Sequence, residues 1–214
     1  SLVLEDKRSV WMAQREGRTK DGDDRTQQGV LKMVGMAKGS DSLLEFFGKL
    51  KIVPVAISYE FDPTDILKMP ELMARRLDQT YVKSSNEDFN SIIKGAMGQK
   101  GRIHIQAGNV IEPAELQMLE QEVSSVNAQL KALASLIDQR IYDNYKLWPS
   151  NYIAYDLLQE EPAFEDRYTS KEKRQFERRV LKRVNIQNTL ELNSYLLMYA
   201  NPVINHHKLY ENQG

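Results

Sequence analysis

Apolar positions come in short blocks through the first half of the chain and in a helical repeat through the second. Residues 9–15 (SVWMAQR) bring Val10, Trp11 and Met12 together and read as a buried strand. After a charged, turn-rich stretch at 16–25, Thr26 can cap a helix carrying Val30, Leu31 and Val34. A second helix over 41–50 offers Leu43, Leu44, Phe46 and Phe47. Residues 52–58 (IVPVAIS) are apolar on both faces, as in a central parallel strand, although Pro54 removes a ladder hydrogen bond. Helices over 63–77 and 86–97 and an alternating strand at 102–106 follow. From Pro113 to Trp148 the apolar residues recur by threes and fours, which predicts one helix of about 35 residues and ~50 Å. Helices over 150–160, 170–184 and 189–200 complete the chain.

This pattern predicts an α/β body, three-layer-like with a partly parallel sheet, followed by a mostly helical C-terminal region. The boundary falls between 1–112 and 113–214. Segments 9–15, 52–58 and 102–106 are expected in one sheet, burying Trp11, Val53, Val55 and Ile57 in preference to Lys20 and Asp23. An edge of that sheet should stay open, inviting self-association.

Composition narrows the chemistry. The 214 residues include no cysteine, which excludes a disulfide scaffold and a thiol nucleophile. Three histidines, His104, His206 and His207, are too few for an ordinary multi-His metal site, so no metal is expected. A net charge of −1 exerts no global pull on nucleic acid, and none is expected as a partner. No stretch is long and apolar enough to span a bilayer. The chain opens on Ser1 without a signal peptide, which reads as a start that was cut away or not included.

Two local features carry candidate chemistry. Glu16, Gly17, Arg18 and Lys20 follow the first predicted strand. Gly17 lets the backbone approach a ligand, Arg18 can grip a phosphate through two parallel hydrogen bonds, and Lys20 adds a mobile positive charge. A solvated loop of mixed charge is the plain alternative, because Asp21, Asp23 and Asp24 nearly cancel the cations. The second feature is 170–184. There Lys171, Lys173, Arg174, Arg178, Arg179, Lys182 and Arg183 face only Glu172 and Glu177, and Phe176, Val180 and Val184 share one side. Such a helix can lie on an anionic membrane face or pack as a solvated helix.

The same residues resemble the glycerolipid acyltransferase family. Glu16, Gly17 and Arg18, followed by Gly29, Leu31 and Met33, are similar to its third sequence block. Val53, Pro54, Val55, Ile57, Tyr59 and Glu60 are similar to its fourth, including the proline inside the strand. Residues 101–113, with Gly108 at a turn, resemble a later strand-and-turn of the family. The resemblance covers about residues 9–113. It implies transfer of a fatty acyl group from an acyl thioester, carried by coenzyme A or an acyl-carrier protein, to the hydroxyl of a glycerol-phosphate-type or lysophospholipid acceptor. No resident cofactor is implied. Glu16, Gly17, Arg18 and Lys20 would hold the acceptor phosphate, with Val53, Pro54 and Val55 forming the fourth-block strand. The family's catalytic histidine and aspartate, with four residues between them, do not occur in this chain and are expected upstream of it. The chain alone is therefore expected to be inactive, cytoplasmic or peripheral on the cytoplasmic membrane face. The rival reading is a non-catalytic interaction module that binds a partner through the 113–148 helix.

Overall fold

The computed structural model describes residues 3–15 and 19–211, with the side chains of 209–211 aside. In chain order its elements are α1 (Gln28–Gly35), α2 (Leu43–Leu50), β1 (Val55–Tyr59), α3 (Asp65–Arg76), α4 (Glu87–Met97), β2 (Ile103–Ala107), α5 (Pro113–Glu122), α6 (Val126–Asn144), α7 (Pro149–Asp156), α8 (Ser170–Leu181) and α9 (Thr189–Glu211). Among the described residues the molecule is thus mostly helical, with one two-stranded sheet.

The expected α/β body with a partly parallel sheet is not formed. The Glu60 N–H donates to Arg102 O at 2.9 Å and the Gly108 N–H to Pro54 O at 2.8 Å, so β1 and β2 run antiparallel. Residues 9–15 are irregular, and Trp11 is 71% exposed. An apolar run becomes a strand only where a neighbour satisfies its backbone, and no described strand lies beside this one. The expected burial order fails for the same reason. Val53 and Ile57 are exposed, Val55 is half-buried, and Lys20 and Asp23 are partly covered. Pro54 sits just ahead of β1, where its missing N–H breaks no bond of the strand.

The helix expected over 113–148 is two. Pro113 occupies the first position of α5, as its fixed φ favours, but Val123 leaves the helix with extended backbone. The Ser125 hydroxyl then accepts the Ala128 N–H at 3.2 Å, starting α6. At the other end of the chain the final helix does not stop at residue 200. It carries Pro202 in its interior and runs on to Glu211.

The chain divides into two compact units. Unit 1 comprises the described residues of Ser1–Arg18 with Asp24–Ala56 and Gln106–Asn144; unit 2 comprises Thr19–Asp23, Ile57–Ile105 and Tyr145–Gly214. In unit 1, α2 packs on α5, and α1 on α6. Leu44, Phe47, Ile111, Leu116 and Leu133 are buried almost completely there. Unit 2 is organised by α9, which packs on α7 and α3. Its core joins Met69, Leu72, Ile153, Phe176, Val180, Tyr195, Leu196 and Tyr199.

Candidate functional site

Glu16, Gly17 and Arg18 lie outside the described residues. Lys20 is placed by unit 2, where 19–23 is seated against α9. Pro202 cannot donate to the carbonyl four residues back, that of Met198, and so leaves a gap in the helix ladder. Gly22 fills that gap. Its φ is +76°, and a Cβ there would stand 2.1 Å from Met198 O, so the close approach admits only glycine. One turn of asparagines holds the loop on either side. Asn201 Nδ2 donates to Asp21 O at 2.7 Å, and Asn205 Nδ2 to an Asp23 carboxylate oxygen at 3.0 Å.

Seated this way, Lys20 places its Nζ 2.8 Å from Glu71 Oε2 of α3. Burial raises the Glu71 pKa, but the hydrogen bond and charge of Lys20, helped by Arg75, outweigh it and hold the carboxyl below its ordinary range. Lys20 is therefore a committed cation. An incoming phosphate would have to displace Glu71 or share the ammonium with it.

Val53, Pro54 and Val55 belong to unit 1, where they meet the later block of the resemblance. The Gly108 N–H donates to Pro54 O, and a Cβ at Gly108 would crowd that oxygen at 3.2 Å and the Asn144 amide at 3.1 Å. The Ile111 N–H extends the pairing to Ile52 O at 2.9 Å. Two of the three blocks thus form one local structure, whose role is backbone pairing. The side chains of Val53, Pro54 and Val55 offer no acid, base or nucleophilic chemistry.

The densest polar cluster among the described residues is one that sequence patterns did not single out. Asp65, at the first position of α3, is 1% exposed. Its Oδ2 accepts from Arg179 Nη2 at 2.7 Å, Arg183 Nε at 3.0 Å, Tyr195 OH at 2.7 Å and Tyr199 OH at 2.8 Å. Its Oδ1 accepts the Ile66 N–H at 2.8 Å. Burial alone would raise this carboxyl's pKa. Arg179, the two tyrosines and Arg183 together overcome it and hold the group below its ordinary value. Burial and the same carboxylate push both tyrosines up. A carboxylate surrounded by donors in this way is a poor base with no open side, so its role is to tie α3, α8 and α9 together. The signal for it was present as two i, i+4 pairs, Arg179 with Arg183 and Tyr195 with Tyr199.

The remaining candidates are small. A half-open depression lined by Glu60, Phe61, Ser150, Glu172 and Phe176 has a cavity volume of about 10 Å³, room for little more than one water. Ligand pockets usually run from about 300 to 1,000 Å³, so it does not suit a lipid substrate. His104 is half-buried on β2 with its Nδ1 unpartnered, and no carboxylate among the described residues bonds it. No group of metal-ligating side chains converges among the described residues. The basic helix α8 turns Phe176, Val180 and Val184 into the unit 2 core, so the apolar side that a membrane-lying helix would use is already covered. No described helix is long and apolar enough to cross a membrane. Compared with known protein families, with curated proteins and with solved structures, the chain has no match.

Proposed function

We propose that this chain supplies acceptor-binding elements of a glycerolipid-type acyltransferase. The reaction would pass a fatty acyl group from a thioester to the hydroxyl of a glycerol-phosphate-type or lysophospholipid acceptor. The observation that supports the reading is the ordered series of three sequence blocks, at Glu16–Met33, Val53–Glu60 and 101–113. It rests on those motifs and not on the fold, since the partly parallel sheet expected with them is not formed. The seating of 19–23 on α9 agrees with a loop that must hold the Lys20 cation in a fixed place. In this reading Arg18 supplies the main phosphate grip, because Lys20 is already engaged by Glu71. The acceptor hydroxyl would lose its proton to a histidine oriented by an aspartate, both supplied from upstream.

The rival reading, a partner-binding module built on 113–148, draws no support from the structure. Leu130, Leu133, Ile137 and Ile141 of α6 are buried, and of its apolar residues only Val126, at its start, is left open.

The test is an acyl-transfer assay on the purified chain with a long-chain thioester and glycerol 3-phosphate or its lyso product. The expected result is no turnover, rising to measurable turnover when the upstream coding sequence, with its His-x-x-x-x-Asp, is included. General-base catalysis contributes about 10²–10⁴-fold. Turnover by the chain alone that survives His206→Ala with His207→Ala would overturn the assignment, as would an upstream sequence without the dyad.

A further inference from the structure

Helix α4 turns its polar side inward and its apolar side outward. Ser91 is buried and Gly95 half-buried, which marks the side facing unit 2. Phe89, Ile92, Ile93, Ala96 and Met97 occupy the opposite side at three- and four-residue spacing. Phe89 is 65% exposed, Ile92 66% and Met97 83%, and Val82 ahead of the helix is also open. The two acidic residues of α4 are both tied down, Glu87 by the Tyr81 hydroxyl at 2.6 Å and Asp88 by Lys83 at 3.1 Å. A contiguous apolar face of this kind on a folded unit marks a surface that something covers.

Helix α8 says what chemistry does so. Arg179 and Arg183 are spent on Asp65. Lys171, Arg174, Arg178 and Lys182 recur at i, i+3, i+7 and i+11, opposite the buried Phe176, Val180 and Val184. All four are exposed, and none has a carboxylate partner among the described residues. The two helices border the same turn of unit 2. Gly98, after α4, abuts Pro63, and Arg102 bonds Glu60 at 2.9 Å while reaching Glu172 in the first turn of α8.

We propose that unit 2 binds an anionic membrane surface, with the apolar face of α4 inserted at the interface and the α8 cation row against the lipid phosphates. A bilayer surface answers both features at once, apolar depth for Phe89, Ile92 and Met97 and negative charge for the cation row. A nucleic acid would satisfy the cations and leave α4 bare. A second copy of the chain could cover α4 but would bring no counter-charge to α8. The inference stands on these exposed side chains and does not depend on the acyl-transfer reading.

The experiment is co-sedimentation of the full chain with vesicles of equal parts phosphatidylglycerol and phosphatidylcholine, against phosphatidylcholine alone. The chain should partition onto the anionic vesicles, less as salt is raised, and only weakly onto the neutral ones. Phe89→Glu with Ile92→Glu should reduce that partition by about tenfold or more with an unchanged circular-dichroism spectrum. Arg174→Glu with Arg178→Glu should weaken it and remove its salt dependence. Failure of the unaltered chain to bind anionic vesicles would overturn the proposal. So would binding indifferent to the α4 pair, or an α4 pair that alters only the oligomeric mass in light scattering. Because the readout is sedimentation and not turnover, its failure is separate from a failure of the acyl-transfer assignment.

Discussion

Helices α4 and α8 both carry an apolar stripe on a polar helix, yet within unit 2 they lie opposite ways round. Helix α8 buries Phe176 and Val180, with Val184 buried just past its end, and presents cations to water. Helix α4 buries Ser91 and presents Phe89, Ile92 and Met97. Amphipathic spacing establishes that a helix has two sides; the neighbours decide which side is wet. For α8 that neighbour is Asp65, whose buried carboxylate draws Arg179 and Arg183 inward along the flank of the apolar stripe. Helix α8 is also started firmly, since the Thr169 hydroxyl accepts the Glu172 N–H while the Glu172 carboxylate accepts the Thr169 N–H. The bonds of the α4 carboxylates Glu87 and Asp88, to Tyr81 and Lys83, are local.

Two phenylalanines test this contrast. Phe176→Ala empties a site that is 1% exposed and edge-on to Tyr199, with ring centroids 5.2 Å apart. It should cost about 3–5 kcal/mol of stability, read by denaturant unfolding. Phe89→Ala, on the open side of α4, should cost within about 0.5 kcal/mol. Equal losses at the two sites would show that α4 is packed and that its open face is not free for a partner.

Acid provides a smaller and more selective probe, because the two units hold aspartates of opposite tendency, Asp65 buried and Asp138 half-buried. Asp65 in unit 2 has its pKa lowered. Its contribution is therefore present above the unfolded aspartate value of about 3.9 and is lost as pH falls through the lower folded value. Asp138 in unit 1 has its pKa raised, chiefly by burial, although the Thr26 hydroxyl and N–H bond it at 2.6 and 2.7 Å. Its ionisation costs stability above the folded pKa, and that cost disappears as pH falls below the unfolded value. Acidification toward pH ~3 should therefore expose the amides of α9 to hydrogen exchange before those of α6. Asp65→Asn should flatten the response of α9 and leave that of α6 unchanged.

Local features of this fold were legible in the residues, and distant ones were not. Pro113 marked the start of α5, and the spacing of Phe176, Val180 and Val184 marked the covered side of α8. The strand expected at 9–15 failed because an apolar triplet carries no information about whether a partner strand exists. The break in the 113–148 helix lay in Ser124 and Ser125, whose hydroxyls favour a new helix start over continuation. The Asp65 cluster and the loop on α9 join residues 114 to 182 positions apart, a separation that no periodicity reports. The seating of Gly22 against Met198 is the same kind of fact, prepared by a proline that reads by itself as a helix stop.

Kinetics of Arg18 variants, in a protein extended upstream to include the proposed His-x-x-x-x-Asp, decide whether this chain carries the acceptor grip of an acyltransferase. Lys20 is held by Glu71, and the proposal therefore gives the acceptor phosphate to Arg18. Arg18→Ala should raise the acceptor KM by about tenfold or more while the KM for the acyl thioester stays unchanged. A rise of equal size for both substrates, or none for the acceptor, would contradict the account.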